Sequence, residues 1–117
     1  MSIIARSRIE DGFGIIDLTG KLTLGPKLRD VRDSVVGLLE KGKLIGLILD
    51  ASAVTSVDSS GLGELTIIYT TAAKYKCPLR LVGVNEHFHK LLSLTKLDAI
   101  LVPADSVALA KKEIMSR

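Results

Sequence analysis

A chain of 117 residues, 47% hydrophobic but only 3% aromatic, is the length of one domain spanning 1–117, with a core of Leu, Ile, Val and Ala. Its net charge of +3 is a mild excess, owed partly to Lys111, Lys112 and Arg117, and with no Trp, two Phe and two Tyr it has little on which to stack bases, which sets nucleic-acid binding aside. The single cysteine, Cys77, excludes an internal disulfide, and the absence of a membrane-length apolar run or a signal-peptide pattern at the start reads as a soluble, cytoplasmic protein with no membrane insertion.

Ser2 to Ile9 alternates, with Ile3, Ala5 and Ile9 on one side and Arg6 and Arg8 on the other. Glu10-Asp11-Gly12 signals a turn into a second strand-like run, Phe13 to Thr19, and two strands joined this tightly predict an antiparallel hairpin. Gly20 to Gly25 reads as a loop, and Pro26 suits the first position of a helix. Leu28, Val31, Val35, Leu38 and Leu39 give that helix one apolar stripe, ended by Gly42. Arg29, Asp30, Arg32 and Asp33 occupy its other side as a solvated face.

Leu44 to Asp50 has no polar alternation, which fits a strand covered on both faces. A polar loop, Ala51 to Val57, is expected to follow, and then a helix to about Ala73 with Leu62, Leu65, Tyr69, Ala72 and Ala73 on one face. Leu79 to Val84 is a further buried strand, entered past Cys77, whose expected setting is that of a small buried or half-buried side chain. Asn85 is placed to cap a helix through Phe88, Leu91 and Leu92. Ile100-Leu101-Val102 reads as a last strand, and Asp105 as the cap of a helix through Val107, Ala110 and Ile114. After the hairpin, strands alternate with helices, which predicts an α/β domain. Its mixed sheet has about five strands, parallel after the hairpin, with four helices. The loops that leave the carboxyl ends of such strands gather along one edge, where partners dock.

The organising stretch on that edge is Asp58-Ser59-Ser60-Gly61-Leu62-Gly63-Glu64-Leu65. Asp58, Ser59 and Ser60 are residue types that cap a helix start, since their side-chain oxygens accept orphan backbone N–H groups. Gly61 and Gly63 each cost the first turn about 1 kcal/mol relative to alanine, and close approach of another molecule would supply a reason. On a helical wheel Ser60, Gly63, Glu64, Ile67 and Thr71 form a second stripe roughly opposite the Leu62/Leu65/Tyr69 stripe. A hydroxyl, bare backbone and an isoleucine on one stripe read as a docking face with a modifiable serine at one end.

Catalytic readings do not fit. A hydrolase elbow needs a glycine two residues before its serine, where Ser60 has Asp58. His87 and His89 stand two apart on a helix and do not share a face, so neither a triad nor a metal pair is expected. Gly61-Leu62-Gly63 lacks the third glycine of a dinucleotide loop, and no Gly-Lys-Ser/Thr phosphate loop occurs. The chain therefore reads as no enzyme, with no cofactor and no metal.

Asp58-Ser59-Ser60-Gly61-Leu62-Gly63, set after an apolar strand and before an amphipathic helix, resembles the anti-sigma factor antagonists of bacteria, whose fold is the STAS domain. The resemblance extends to the leading hairpin, Gly20-Lys21-Leu22, Leu47-Ile48-Leu49-Asp50 and Leu94-Thr95-Lys96-Leu97. It implies that Ser60 is phosphorylated by an anti-sigma factor that is itself a serine/threonine kinase, with Asp58 and Ser59 flanking the acceptor. It also implies that the unphosphorylated form binds this partner and frees a sigma factor, and that a serine phosphatase reverses the block. Gly61, Gly63, Glu64, Ile67, Thr71 and Thr23 are the expected partner-binding positions. Thr23 is a departure, because the family often has an aspartate after the Gly-x-Leu of the early loop. The alternative is a STAS interaction module of a lipid- or anion-transport or signalling complex, without phospho-regulation.

Overall fold

The computed structural model describes residues 2–116; Arg117, counted above among the C-terminal cations, lies outside them. Strands β1 (Ile4–Glu10) and β2 (Phe13–Leu22) form the expected antiparallel hairpin, Glu10 opposite Phe13. Asp11 and Gly12, at φ 54° and 81°, turn the chain in the left-handed region that such a tight hairpin requires. Helix α1 (Leu28–Glu40), strand β3 (Gly46–Val57), helix α2 (Ser59–Lys74), strand β4 (Leu79–Val82), helix α3 (Glu86–Leu94), a short 3-10 turn (Leu97–Ala99), strand β5 (Pro103–Ala104) and helix α4 (Val107–Met115) follow. Among the described residues the five strands form one sheet in the order β1-β2-β3-β4-β5, parallel from β2 onward.

Alternation along the strands splits the core into two layers. Ile16, Leu18, Leu47, Leu49 and Leu81 point to the side covered by α1, α2 and α3. Phe13, Ile15, Ile48 and Val82 point to the other side, where Ala110 and Ile114 of α4 meet them. Leu47, Ile48 and Leu49 are all fully buried, as a strand covered on both faces requires. The predicted α1 stripe is buried in full, and Asn85 caps α3 by accepting the Phe88 N–H at 2.8 Å.

Several predicted boundaries move. Ala51–Val57 is not a loop: it continues β3, with Ala51, Val54 and Val57 buried and Thr19–Leu22 of β2 paired alongside. Two register shifts in that ladder, after Asp17 and after Gly20, let both strands run past the point where the apolar run ends. Gly20–Leu22 thus belongs to β2, and the connection from β3 to α2 is Asp58 alone. Pro26 stands before α1, whose first residue is Leu28, because the Leu28 N–H donates to the Gly25 carbonyl and makes a turn of Gly25–Leu28. The last strand is Pro103–Ala104, since Leu97–Ala99 winds into the 3-10 turn and places Ile100–Val102 after it. Ser106, not Asp105, caps α4, its Oγ accepting the Leu109 N–H at 3.1 Å. In α2 it is Ile68 that is buried beside Leu62 and Leu65, while Ala73 is exposed and Tyr69 half-buried. Lys111 is not simply solvated: it pairs with Glu10, and with Asp11 at 2.9 Å, pinning the hairpin turn to α4.

Candidate functional site

The site forms where β2 and β3 end and α1 and α2 begin. Asp58 organises it. One carboxylate oxygen accepts the Gly61 N–H at 2.9 Å and caps α2; the other accepts the Leu24 N–H at 3.0 Å and ties down the loop after β2. Those N–H groups, Leu24 first and then Gly61, hold the Asp58 carboxyl below the usual carboxylate range. The Asp58 N–H in turn donates to the Leu22 carbonyl at 3.3 Å. The early loop with Thr23 is therefore bound directly to the residue that flanks Ser60. Thr23 itself is half-buried and lines a hollow of about 250 Å³ with Ser2, Lys21 and Pro26.

Because Asp58 supplies the capping bond, Ser59 and Ser60 are not needed for it. Ser59 is exposed and Ser60 half-buried, both in the first turn of α2. Gly63 is exposed, and a methyl group there would meet nothing within 4 Å. Ile67 is 43% exposed, and Leu24, which the sequence reading did not single out, is 78% exposed. Thr71 is half-buried, its hydroxyl donating to the Ile67 carbonyl at 2.9 Å. Ser60, Gly63 and Ile67 thus share an accessible stripe, with Leu24 on the loop that Asp58 anchors.

Two members of the expected docking face lie elsewhere. Gly61 is buried, and a Cβ on it would stand 2.0 Å from the Leu22 carbonyl oxygen. This chain's own strand end makes the close approach there. Glu64 is only 7% exposed, because Arg32 of α1 grips it with two bonds, Nε to Oε2 at 2.6 Å and Nη2 to Oε1 at 3.0 Å. Arg32 correspondingly leaves the solvated face predicted for it, and the bond to Glu64 raises its pKa above the ordinary arginine value. A bidentate Arg–carboxylate pair fixes both partners in direction as well as charge. Nothing in the sequence marks this pair, since its partners are 32 positions apart.

His87 and His89 are both exposed on α3. Among the described residues no cluster of three or more His, Cys, Asp or Glu side chains is placed to hold a metal ion, and no helix is long and apolar enough to cross a membrane.

A family model described as "Mlab, STAS domain" matches residues 6–103. The chain belongs to the STAS domain family. Its five-stranded mixed sheet with a leading antiparallel hairpin and its four helices are those of a STAS domain. The crystal structure of TM1081 from Thermotoga maritima, described as a candidate anti-sigma factor antagonist, matches with a TM-score of 0.84 at 28% identity, covering 95% of this chain and 94% of that one. An anti-sigma factor antagonist from Mycobacterium paratuberculosis shares the fold with a TM-score of 0.82 at 19% identity, covering 97% of this chain and 95% of that one. In sequence, a Thermotoga neapolitana homologue of TM1081, likewise a candidate anti-sigma factor antagonist, is 32% identical over 71 residues, 61% of this chain. The matched stretch spans 63% of that relative's length, slightly under two thirds.

Proposed function

We propose that this STAS domain is an anti-sigma factor antagonist switched by phosphorylation of Ser60. Unphosphorylated, it docks on an anti-sigma factor serine/threonine kinase through Ser59, Ser60, Gly63, Ile67 and Thr71 of α2, with Thr23 and Leu24 of the adjoining loop. The kinase transfers the γ-phosphoryl group of ATP to Ser60 Oγ, the hydroxyl proton leaves with a base and ADP is released. The modified domain then lets its partner go, and a serine phosphatase restores the hydroxyl. The observation that carries this reading is the division of labour at the helix start. Asp58 supplies the α2 cap, leaving half-buried Ser60 free of that role, one turn from the exposed backbone of Gly63 and on the same stripe as the exposed Ile67.

Phosphate adds a charge of about −1.5 to −2. A helix N-terminus favours an anion by about 0.3–1 kcal/mol, so the domain keeps its fold. In the complex the same charge is stripped of water and set near Asp58, at a cost of several kcal/mol. A loss of about 4 kcal/mol corresponds to roughly a thousandfold weaker binding. The test is titration of Ser60→Asp and Ser60→Ala against the cognate kinase. Ser60→Asp is expected to fold normally and lose the partner, whereas Ser60→Ala binds and takes no phosphate. Equal affinity for the two variants would refute the switch.

Thr23, standing where the family often has aspartate, favours a second reading, an interaction module that is never phosphorylated. Intact-mass spectrometry after incubation with the kinase and ATP separates the two.

A further inference from the structure

The bidentate ion pair of Arg32 with Glu64 lies a single helical turn from Ser60. Ser60 and Glu64 are four residues apart on α2 and so neighbours on its surface. Arg32 reaches Glu64 from α1, and its side chain keeps 26% of its surface in solvent while that of Glu64 keeps 8%. The two helices run side by side in the same direction. Their starts are tied through the Leu24 amide and Asp58, and their ends, Leu39 and Glu40 of α1 and Tyr75 and Lys76 after α2, line a common groove. Stepping back one turn from Glu64 on α2 arrives at Ser60; stepping back one turn from Arg32 on α1 arrives at Arg29, which is exposed.

We propose that the first two turns of α1 form an intramolecular receptor for the phosphate on Ser60, in which Arg32 exchanges the Glu64 carboxylate for the phosphate and Arg29 adds a second guanidinium. The inference rests on Ser60 being the phosphoacceptor and specifies what the domain itself does with the group. A dianionic phosphate with three acceptor oxygens competes well with one carboxylate for a forked donor. The acidic neighbours on α1 leave the arginines available. Asp30 faces Lys27 at 3.9 Å, and Asp33 adds to the field around Arg32 with no hydrogen bond to it. Once Arg32 turns to the phosphate, Glu64 loses its partner and rotates toward water beside Gly63 and Ile67. The docking stripe then carries two new negative groups, the phosphate and a carboxylate previously folded away.

The test installs phosphoserine at position 60 of the full chain by semisynthesis and follows the phosphate by phosphorus NMR against pH. Its second pKa, near 6 in a free phosphoserine, is expected about one unit lower in the wild-type chain. R29Q should return part of that shift and R32Q most of it, and the double variant should retain only the opposing contributions of the helix start and the Asp58 carboxylate. E64Q keeps a hydrogen-bonding amide for the fold and removes the competing charge, so it should lower the value further. The additional lowering should shrink when R32Q is also present. A phosphate pKa that is the same in wild type, R29Q and R32Q overturns the receptor. Equal effects of E64Q with and without Arg32 overturn the exchange of partners. Because no kinase takes part, these titrations are independent of whether Ser60→Asp loses the anti-sigma factor, so failure here and failure of the switch are distinguishable.

Discussion

At Gly61 a methyl group would stand 2.0 Å from the Leu22 carbonyl oxygen, whereas at Gly63, two residues on, it would meet nothing within 4 Å. Gly61→Ala must push the end of β2 away from α2 and should cost about 3 kcal/mol of unfolding free energy. Gly63→Ala fills open space with a better helix former and should add about 0.5–1 kcal/mol. Denaturant unfolding of both variants measures the two signs, and a Gly63→Ala protein that is more stable yet binds its partner less well locates the docking surface. Asp58 gives a pH signature. Its carboxyl is held below the usual range by the Leu24 and Gly61 amides, so protons bind more readily to the unfolded chain. That contribution to stability is fully present above the unfolded value near 4 and is lost as pH falls through the lower native value. Asp58→Asn retains a capping oxygen but no titration, so its stability should fall less steeply below about pH 4 than that of the wild type.

Between elements, the decisive fact is that α2 has three sides of different character. One is apolar and lies on the sheet through Leu62, Leu65, Ile68 and Ala72; one is held to α1 by Glu64; the third, with Gly63 and Ile67, is free. Ile67→Lys changes only the free side, so unfolding should move by less than about 0.5 kcal/mol while partner affinity falls. A large drop in melting temperature would place Ile67 in the core instead. The same division explains what periodicity conveyed at this scale. The α1 stripe of Leu28, Val31, Val35, Leu38 and Leu39 was legible because burial there repeats with the helical period. Glu64 was misread because a charged residue carries no signal of being gripped by an arginine on another helix. Ala51–Val57 was misread because its small and hydroxylated residues match a loop's composition, and only pairing with β2 makes it strand.

For the molecule as a whole, the two core layers leave Cys77 where β4 begins, 7% exposed, and burial pushes its thiol up to about 11. In native protein at neutral pH it should react with thiol reagents on the order of a hundredfold more slowly than a free cysteine. Unfolding should restore the rate, so alkylation read by mass spectrometry follows global opening. From the chain by itself came the element order, the hairpin, the α1 stripe, the cap at Asn85, a cap for α2 among Asp58, Ser59 and Ser60, and Ser60 at a helix start. Each of these depends on residues within a turn or two of one another. Tertiary structure decided which expected docking residues stay open, because the contacts that decide it, Asp58 with Leu24 and Arg32 with Glu64, join positions 34 and 32 apart. Such pairs exist only once α1 and α2 lie side by side on the same face of the sheet, and no local spacing encodes that.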